Sequence, residues 1–414
     1  VSTHSDRFAP QIAALLLGSA LALLPLTLQP GRALLRSAGI SIGWAAKLRE
    51  APAGGGPPRY YQLPEVAIGD SAWRRSGPVE VWANVLADYL EYSGVEDHPY
   101  HSLPPVRVSY GPLGFRDELP AKEGGIAMVG SSYLEAGFAG VEDTIPGQLQ
   151  ARHGRPAANF GMSFARPEDV LAHLEYFVLP TRPEWVVWVI SERLELGDVE
   201  DPRVARSFEW ALRGRARDFL RGWIGSFSDS ISRRLGERAK SPASAGIYRF
   251  LCRYRAAGHD IQVHCPPAPP AAEVTRSIAA LRPAVSQAGE RVAQSGARLL
   301  VVMVPTLVRT LDGVIEPAEP SERARFREGA SVHPLENGVE GLGEMVRTAG
   351  ALYLDLTPAL SDAAARGVLP NNPILDRHLN ADGMAIAADE IARTLDLAEV
   401  RNRASDEGSG GITR

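Results

Sequence analysis

Five short runs along the chain are apolar at nearly every position: Gly125–Gly130 (GIAMVG), Ala157–Gly161 (AANFG), Trp185–Ile190 (WVVWVI), Arg298–Val304 (RLLVVMV) and Ala351–Leu356 (ALYLDL). Continuous rather than alternating apolar runs of this length predict strands covered on both faces. Segments with helical character separate or follow them: Thr144–His153, Pro167–Phe177, Ala359–Arg366 and Gly383–Leu395. Strand and helix in alternation predict a parallel sheet with helices on both sides and right-handed crossovers. Upstream, Trp82, Val85, Leu86, Tyr89 and Leu90 recur at helical spacing and predict an amphipathic helix over Val79–Tyr92. A Pro-rich, strand-poor approach through Pro104, Pro105 and Pro112 follows.

Two stretches depart from this pattern. Ile12–Leu28 carries no charge and is about long enough for a slightly short membrane-spanning helix, with Pro25 late enough to kink it rather than prevent it. A membrane anchor, a cleaved signal peptide (Ala20-Leu21-Ala22 resembles a cleavage site) and a buried soluble helix all fit. Arg32, Arg36, Lys47 and Arg49 follow the span and only Arg7 precedes it, so charge bias alone would leave the body cytoplasmic. A Gly/Pro linker, residues 51–58, comes next. The second stretch, about 201–297, interrupts the alternation and is too long for a simple crossover. Within Pro202–Arg255, 13 Lys/Arg oppose 4 Asp/Glu, a local +9, interleaved with Phe208, Trp210, Phe219, Trp223 and Phe227. It reads as a basic helical insertion, either packed on the domain with solvated arginines or lying on an anionic surface.

Composition narrows the class. At 414 residues, 45% hydrophobic and 22% charged, the chain is neither disordered, collagenous nor polytopic. The net charge of −5 gives no reason to expect nucleic-acid binding, although leaving out Pro202–Arg255 puts the remainder at −14 (−5 minus +9). Cys252 and Cys265 allow one bridge in an oxidising compartment or two buried thiols. With His259 and His264 their spacing matches no common zinc pattern, so neither a metal nor another cofactor is expected.

The chemistry-bearing residues fall at the ends of the predicted strands. Met128-Val129-Gly130-Ser131-Ser132-Tyr133 leaves the first strand and enters a helical turn, lifting a hydroxyl to the carboxyl edge of the sheet, where backbone amides can stabilise an oxyanion. Asn159-Phe160-Gly161 closes the second strand and can add an amide donor. Asp376-Arg377-His378-Leu379-Asn380 precedes the final helix, and an Asp two residues before a His can orient the imidazole as a general base. Each motif alone also suits a turn, a surface pair or a metal ligand. Gly69-Asp70-Ser71 spells a similar turn, but only a short apolar run precedes it and no Asn-x-Gly follows, so Ser71 reads as a turn or cap residue.

Taken in order, these motifs resemble the SGNH/GDSL hydrolase superfamily, and within it the membrane-anchored or periplasmic alginate O-acetyltransferase-like proteins. The resemblance runs from about Val106 to Leu397. Beyond the turns just named it is carried by Gly114-Phe115-Arg116-Asp117, Val141-Glu142-Asp143-Thr144, Val186–Glu192, Leu300–Pro305, Leu354-Asp355-Leu356 and Ala381-Asp382-Gly383. It implies a flavodoxin-like three-layer α/β/α sandwich with a five-stranded parallel sheet, a helical insertion and an N-terminal transmembrane helix. The implied divisions are an anchor and juxtamembrane segment over 1–50, a linker and extension over 51–105, the α/β domain over 106–400 and a flexible tail over 401–414. Ser132 matches the nucleophile, His378 the base and Asp376 its orienting acid. The amides of Ser132 and Gly161 match oxyanion-hole positions. Two departures stand out: Ser131 replaces the Asp of Gly-Asp-Ser, and Glu192-Arg193-Leu194-Glu195 replaces the usual Gly-Asn-Asp step, with Leu194 near the expected Asn and Arg193 the nearest substitute donor. Losing one such donor costs on the order of 100- to 1000-fold in rate.

Two functions follow. One is a serine acyl-ester hydrolase or O-acetyltransferase acting on envelope or extracellular polysaccharide, held at the cytoplasmic membrane by its N-terminal helix, with its main domain outside the cytoplasm and a membrane acyltransferase as partner. The other is a catalytically degenerate module serving as a scaffold subunit of a membrane complex, motivated by the two departures and by the insertion.

Overall fold

The computed structural model describes residues 65–68, 72–75, 77–83, 106–116, 120–163, 165–192, 251–256, 259–264, 271–317, 335–372 and 378–409. It begins with two antiparallel pairs. Strands β1 (Glu65–Ile68) and β2 (Ala72–Arg75) pair with Glu65 opposite Arg75. Strands β3 (Val79–Ala83) and β4 (Val106–Tyr110) pair with Val79 opposite Tyr110. The helix expected from Val79 is therefore a strand in its first part, and the strand-poor approach contains one. The reason is local: Val79 and Val81, β-branched residues, flank Glu80, and of the residues at helical spacing only Trp82 lies in the strand, Val85, Leu86, Tyr89 and Leu90 being outside those described. In β4, Val108 and Tyr110 are buried and Arg107 exposed, the alternation of a strand with one covered face.

The rest of the chain builds the central sheet, with a helix between each of its strands and the next. Strand β5 (Ile126–Gly130) leads into the short helix α1 (Ser132–Glu135) and then α2 (Ile145–His153). Thr144 caps α2 by accepting from the Gly147 amide, and Gly154 ends it at φ +63°. Then come β6 (Ala157–Gly161), α3 (Pro167–His173) and β7 (Trp185–Ser191). A hairpin of β8 (Leu251–Ala256) and β9 (His259–His264) precedes α4 (Ala271–Gln294) and β10 (Arg298–Val304). After α5 (Leu307–Thr310), β11 (Ile315–Pro317) joins β8 and β9 in a three-stranded antiparallel sheet. Helix α6 (Leu335–Thr348), β12 (Leu352–Asp355), α7 (Thr357–Ala365) and α8 (Ala381–Ser409) complete the fold.

The central sheet is entirely parallel in the order β12-β10-β7-β5-β6. Numbered by appearance and read from β6, this is the 2-1-3-4-5 order of flavodoxin-like doubly wound sheets, with the strand order reversing beside β5. The five predicted strands are present, each within a residue or so of its expected bounds. Why their sequences are continuously apolar is now visible. Val186, Trp188 and Ile190 of β7 face one core with α3, α4 and α6, while Trp185, Val187 and Val189 face the other with α1, α2, α7 and α8.

The stretch expected as a helical insertion is not uniformly helical. Residues 251–264 form the β8–β9 hairpin, and α4 is the crossover helix into β10, packed on the core through Leu281, Val285 and Val292. The basic-aromatic residues 202–250 lie outside those described. Of the dismissed metal motif, Cys252 pairs with Val263 and His259 with Ala256, four residues apart along β8, or roughly 13 Å. Cys265 lies outside the described residues, as do Ser71 and Ile12–Leu28. Among the described residues no helix is long and apolar enough to cross a membrane. Helix α8 runs to Ser409, into the stretch expected as a loose tail.

Leu300, fully buried on the central strand β10, tests the packing of the second core. Leu300→Ala should lower the unfolding free energy by about 2–5 kcal/mol in urea titration; a loss below about 1 kcal/mol would contradict a close-packed environment.

Candidate active site

Ser132 stands where β5 ends and α1 begins, at the carboxyl edge of the sheet and beside the reversal in strand order, the place where open α/β sheets build their sites. Gly130 is required there: a Cβ would lie 2.6 Å from the Val189 carbonyl oxygen of the neighbouring strand. Ser131 precedes α1 without a side-chain capping bond, and its buried Oγ has no hydrogen-bond partner among the described residues. The Ser132 amide is at the first helical position, where no intrahelical acceptor exists.

His378 arrives from the other end of the chain. Its Nε2 lies 2.8 Å from Ser132 Oγ, and both residues are half-buried. The imidazole lies against two aromatic rings from the nucleophile's own segment, Tyr133 at 4.6 Å and Phe138 at 5.0 Å between centroids. The backbone from His378 onward is held by hydrogen bonds. The His378 carbonyl accepts from the Asn372 amide at 2.9 Å, and Leu379 bridges to Asn371. Asn380 caps α8 by accepting from the Gly383 amide, and its own amide group donates to the Leu369 and Asn371 carbonyls. Gly383 is obligatory, since a Cβ would meet the Pro370 oxygen at 2.0 Å. The His-Leu-Asn-Ala-Asp-Gly run is thus a helix entry built to present an imidazole. Asp376 and Arg377 lie outside the described residues.

Gly161, at the end of β6, packs directly against α1: a Cβ would lie 2.4 Å from the Glu135 nitrogen. Its amide donates to Asn159 Oδ1 at 2.9 Å, while Asn159 Nδ2 donates to the Leu134 carbonyl at 2.8 Å. The Asn159 side chain therefore stitches β6 to α1, and an oxyanion drawing on the Gly161 amide would share it with this acceptor. After β7, Glu192 is fully buried. Its carboxylate accepts from Arg309 Nε and Nη2 (3.0 and 2.6 Å) and from the Thr306 amide (2.8 Å). Among the described residues, this strand end presents a carboxylate whose oxygens are already hydrogen-bonded. Arg193 and Leu194 lie outside the described residues. On the α8 side, Asp143 is held above the usual carboxylate range, first by burial and then by Glu142 and Asp382.

Sequence reasoning missed Glu135. Three residues after Ser132 and without solvent exposure, its Oε1 accepts from Tyr110 Oη at 2.6 Å and Arg75 Nε at 3.2 Å, and its Oε2 from the Ser163 amide at 2.5 Å. Arg116, flagged within the Gly-Phe-Arg motif, donates through Nη1 to the carbonyls of Glu135, Ala136 and Ala139. Gly114, at φ +76°, lets that loop pass the Arg75 carbonyl, which a Cβ would meet at 1.9 Å. The one available signal was a lone Glu inside the run Ser132-Tyr-Leu-Glu-Ala-Gly-Phe.

No family model and no curated protein matches the chain. Solved structures that align with it include LAE5, an alpha/beta hydrolase enzyme from the metagenome of Lake Arreo, Spain (13% identity, TM-score 0.33, covering 66% of this chain and 94% of that one). Another is Axe2, an acetylxylan esterase from Geobacillus stearothermophilus (12%, 0.35, 66% and 94%). A third is a candidate lipolytic protein of the G-D-S-L family from Desulfitobacterium hafniense DCB-2 (12%, 0.31, 66% and 99%). Similarity this low carries no weight, and the functional reading rests on the geometry of the chain's own residues.

Gly161→Ala tests how tightly β6 meets α1. It should destabilise the protein by about 1–3 kcal/mol in urea titration, because the methyl group meets backbone that cannot yield without moving Ser132. A change below about 0.5 kcal/mol would contradict that contact.

Proposed function

We propose that the protein is a serine acyl-ester hydrolase or acyltransferase. One observation carries the reading: the imidazole Nε2 of His378 at 2.8 Å from the hydroxyl of Ser132, at the carboxyl edge of a doubly wound sheet. With its proton on Nδ1, His378 accepts the Ser132 proton at Nε2 as Oγ attacks the ester carbonyl. The negative charge that develops on the carbonyl oxygen meets the Ser132 amide and, in competition with Asn159, the Gly161 amide. Collapse of the tetrahedral intermediate expels the alcohol, which takes the proton from His378. Water or a sugar hydroxyl, deprotonated by the same imidazole, then resolves the acyl-serine. Asp376, two residues before His378, is the proposed orienting acid.

The SGNH resemblance supports a finer reading: an acetyl group as the acyl unit, an envelope or extracellular polysaccharide as its donor or acceptor, and an anchor at Ile12–Leu28 holding the domain outside the cytoplasm beside a membrane acyltransferase. The occupied Gly161 amide and the Glu192 acceptor favour the competing scaffold reading, in which Ser132 is never acylated.

The two separate on one measurement. Purified protein should release p-nitrophenol from p-nitrophenyl acetate, and Ser132→Ala and His378→Ala should each lower the rate at least about 1,000-fold. Equal rates for wild type and Ser132→Ala would sink the enzymatic reading.

A further inference from the structure

We propose that Glu135 is a positioning residue, whose buried carboxylate sets the distance between the nucleophile turn and the oxyanion loop that begins at Gly161. This rests on the acyl-transfer reading above. Helix α1 has only four residues and ends at Ala136 in the left-handed region (φ +48°), so it has no stability of its own and must be held from outside. The holding groups converge on the residue one turn after Ser132. Glu135 Oε1 is gripped by Arg75 and Tyr110 from β2 and β4, and Oε2 receives the Ser163 amide.

Two consecutive amides of the oxyanion loop therefore bond to the two flanks of the nucleophile turn. Met162 N donates to the Gly130 carbonyl at 3.0 Å, just before Ser132, and Ser163 N to Glu135, just after it. The Gly161 amide, one residue upstream, takes its orientation from this pair of stitches. An apolar residue at position 135 would fill the space and avoid burying a charge. It could not accept from Ser163, and only the carboxylate links the loop, the turn and the N-terminal strands through a single group.

Glu135→Gln preserves volume but turns one of the two oxygens into a donor, so it must oppose either the Ser163 amide or the Arg75 guanidinium, neither of which can accept. In full-length protein it should lower kcat for p-nitrophenyl acetate about 10- to 100-fold with KM within about twofold, active sites being counted by fluorophosphonate labelling of Ser132. Hydrogen exchange across residues 160–164 should accelerate. Tyr110→Phe, which removes one hydroxyl, should show both changes in milder form, with kcat down about 3- to 10-fold. A purely structural role would lower the melting temperature and leave kcat per labelled site unchanged. The proposal is overturned if folded Glu135→Gln keeps kcat within about twofold of wild type or leaves the exchange unaltered. If Glu135→Gln does not fold, unchanged kcat and exchange in Tyr110→Phe overturn it. A wild-type protein that turns over no ester sinks the acyl-transfer reading instead, and exchange alone then decides whether Glu135 holds the loop.

Discussion

A carboxylate withdrawn completely from water must find donors inside the protein, and Glu135 finds them in three separate segments. That requirement explains features with no obvious connection in the sequence. Arg75 and Tyr110 belong to strands outside the central sheet, yet their polar groups end beneath the nucleophile turn, and Gly114 lets the chain pass close to the Arg75 carbonyl. Arg116 then donates to the carbonyls of Glu135, Ala136 and Ala139, where α1 stops after a single turn. The N-terminal strands are thus the back wall of the site and not an appendage to the α/β unit.

The opposite wall depends on α8. Ser132 and His378 are separated by 246 positions, and what closes that distance is the apolar face of α8 on the second core, through Met384, Ala388, Ile391 and Leu395. Ion pairs frame the same contact on the surface. Arg152 and His153 meet Asp389, with the Arg152 hydrogen bond drawing that carboxyl below its ordinary range, and Arg155 meets Asp396 and Glu399. Exposed pairs of this kind contribute little each; they set the register of α8 on α2 more than its affinity. The imidazole inherits its place from that packing and is then trimmed by Asn380 and by the rings of Tyr133 and Phe138.

The strands and the catalytic pair were legible for different reasons. Val186–Ile190 and Leu299–Val304 announce themselves because parallel strands covered on both faces admit only apolar residues. Strand β3 reads as helix in the sequence because Trp82 shares a helical spacing with Val85, Leu86, Tyr89 and Leu90. The β8–β9 hairpin straddles the end of the basic stretch Pro202–Arg255, and its strands mix charged and polar residues with apolar ones in place of a continuous apolar run. Ser132 and His378 were placed by resemblance and meet in space. Glu135 could not be read, because its meaning lies in partners 60, 25 and 28 positions away. Asp376, Arg193 and the apolar Ile12–Leu28 lie outside the described residues.

The small antiparallel sheet has a consequence of its own. Strand β11 leaves the chain just beyond the carboxyl end of β10, the same rim of the central sheet from which Ser132 rises, and β8 and β9 hang from it by backbone pairing. Among the described residues no strand of the central sheet pairs with this assembly, so residues can be added to or removed from it without shifting the register of β5 against β7. The chain has in this way separated two demands: the chemistry is tied to a frame that tolerates almost no change, while the surroundings of the rim can be remodelled by insertion alone.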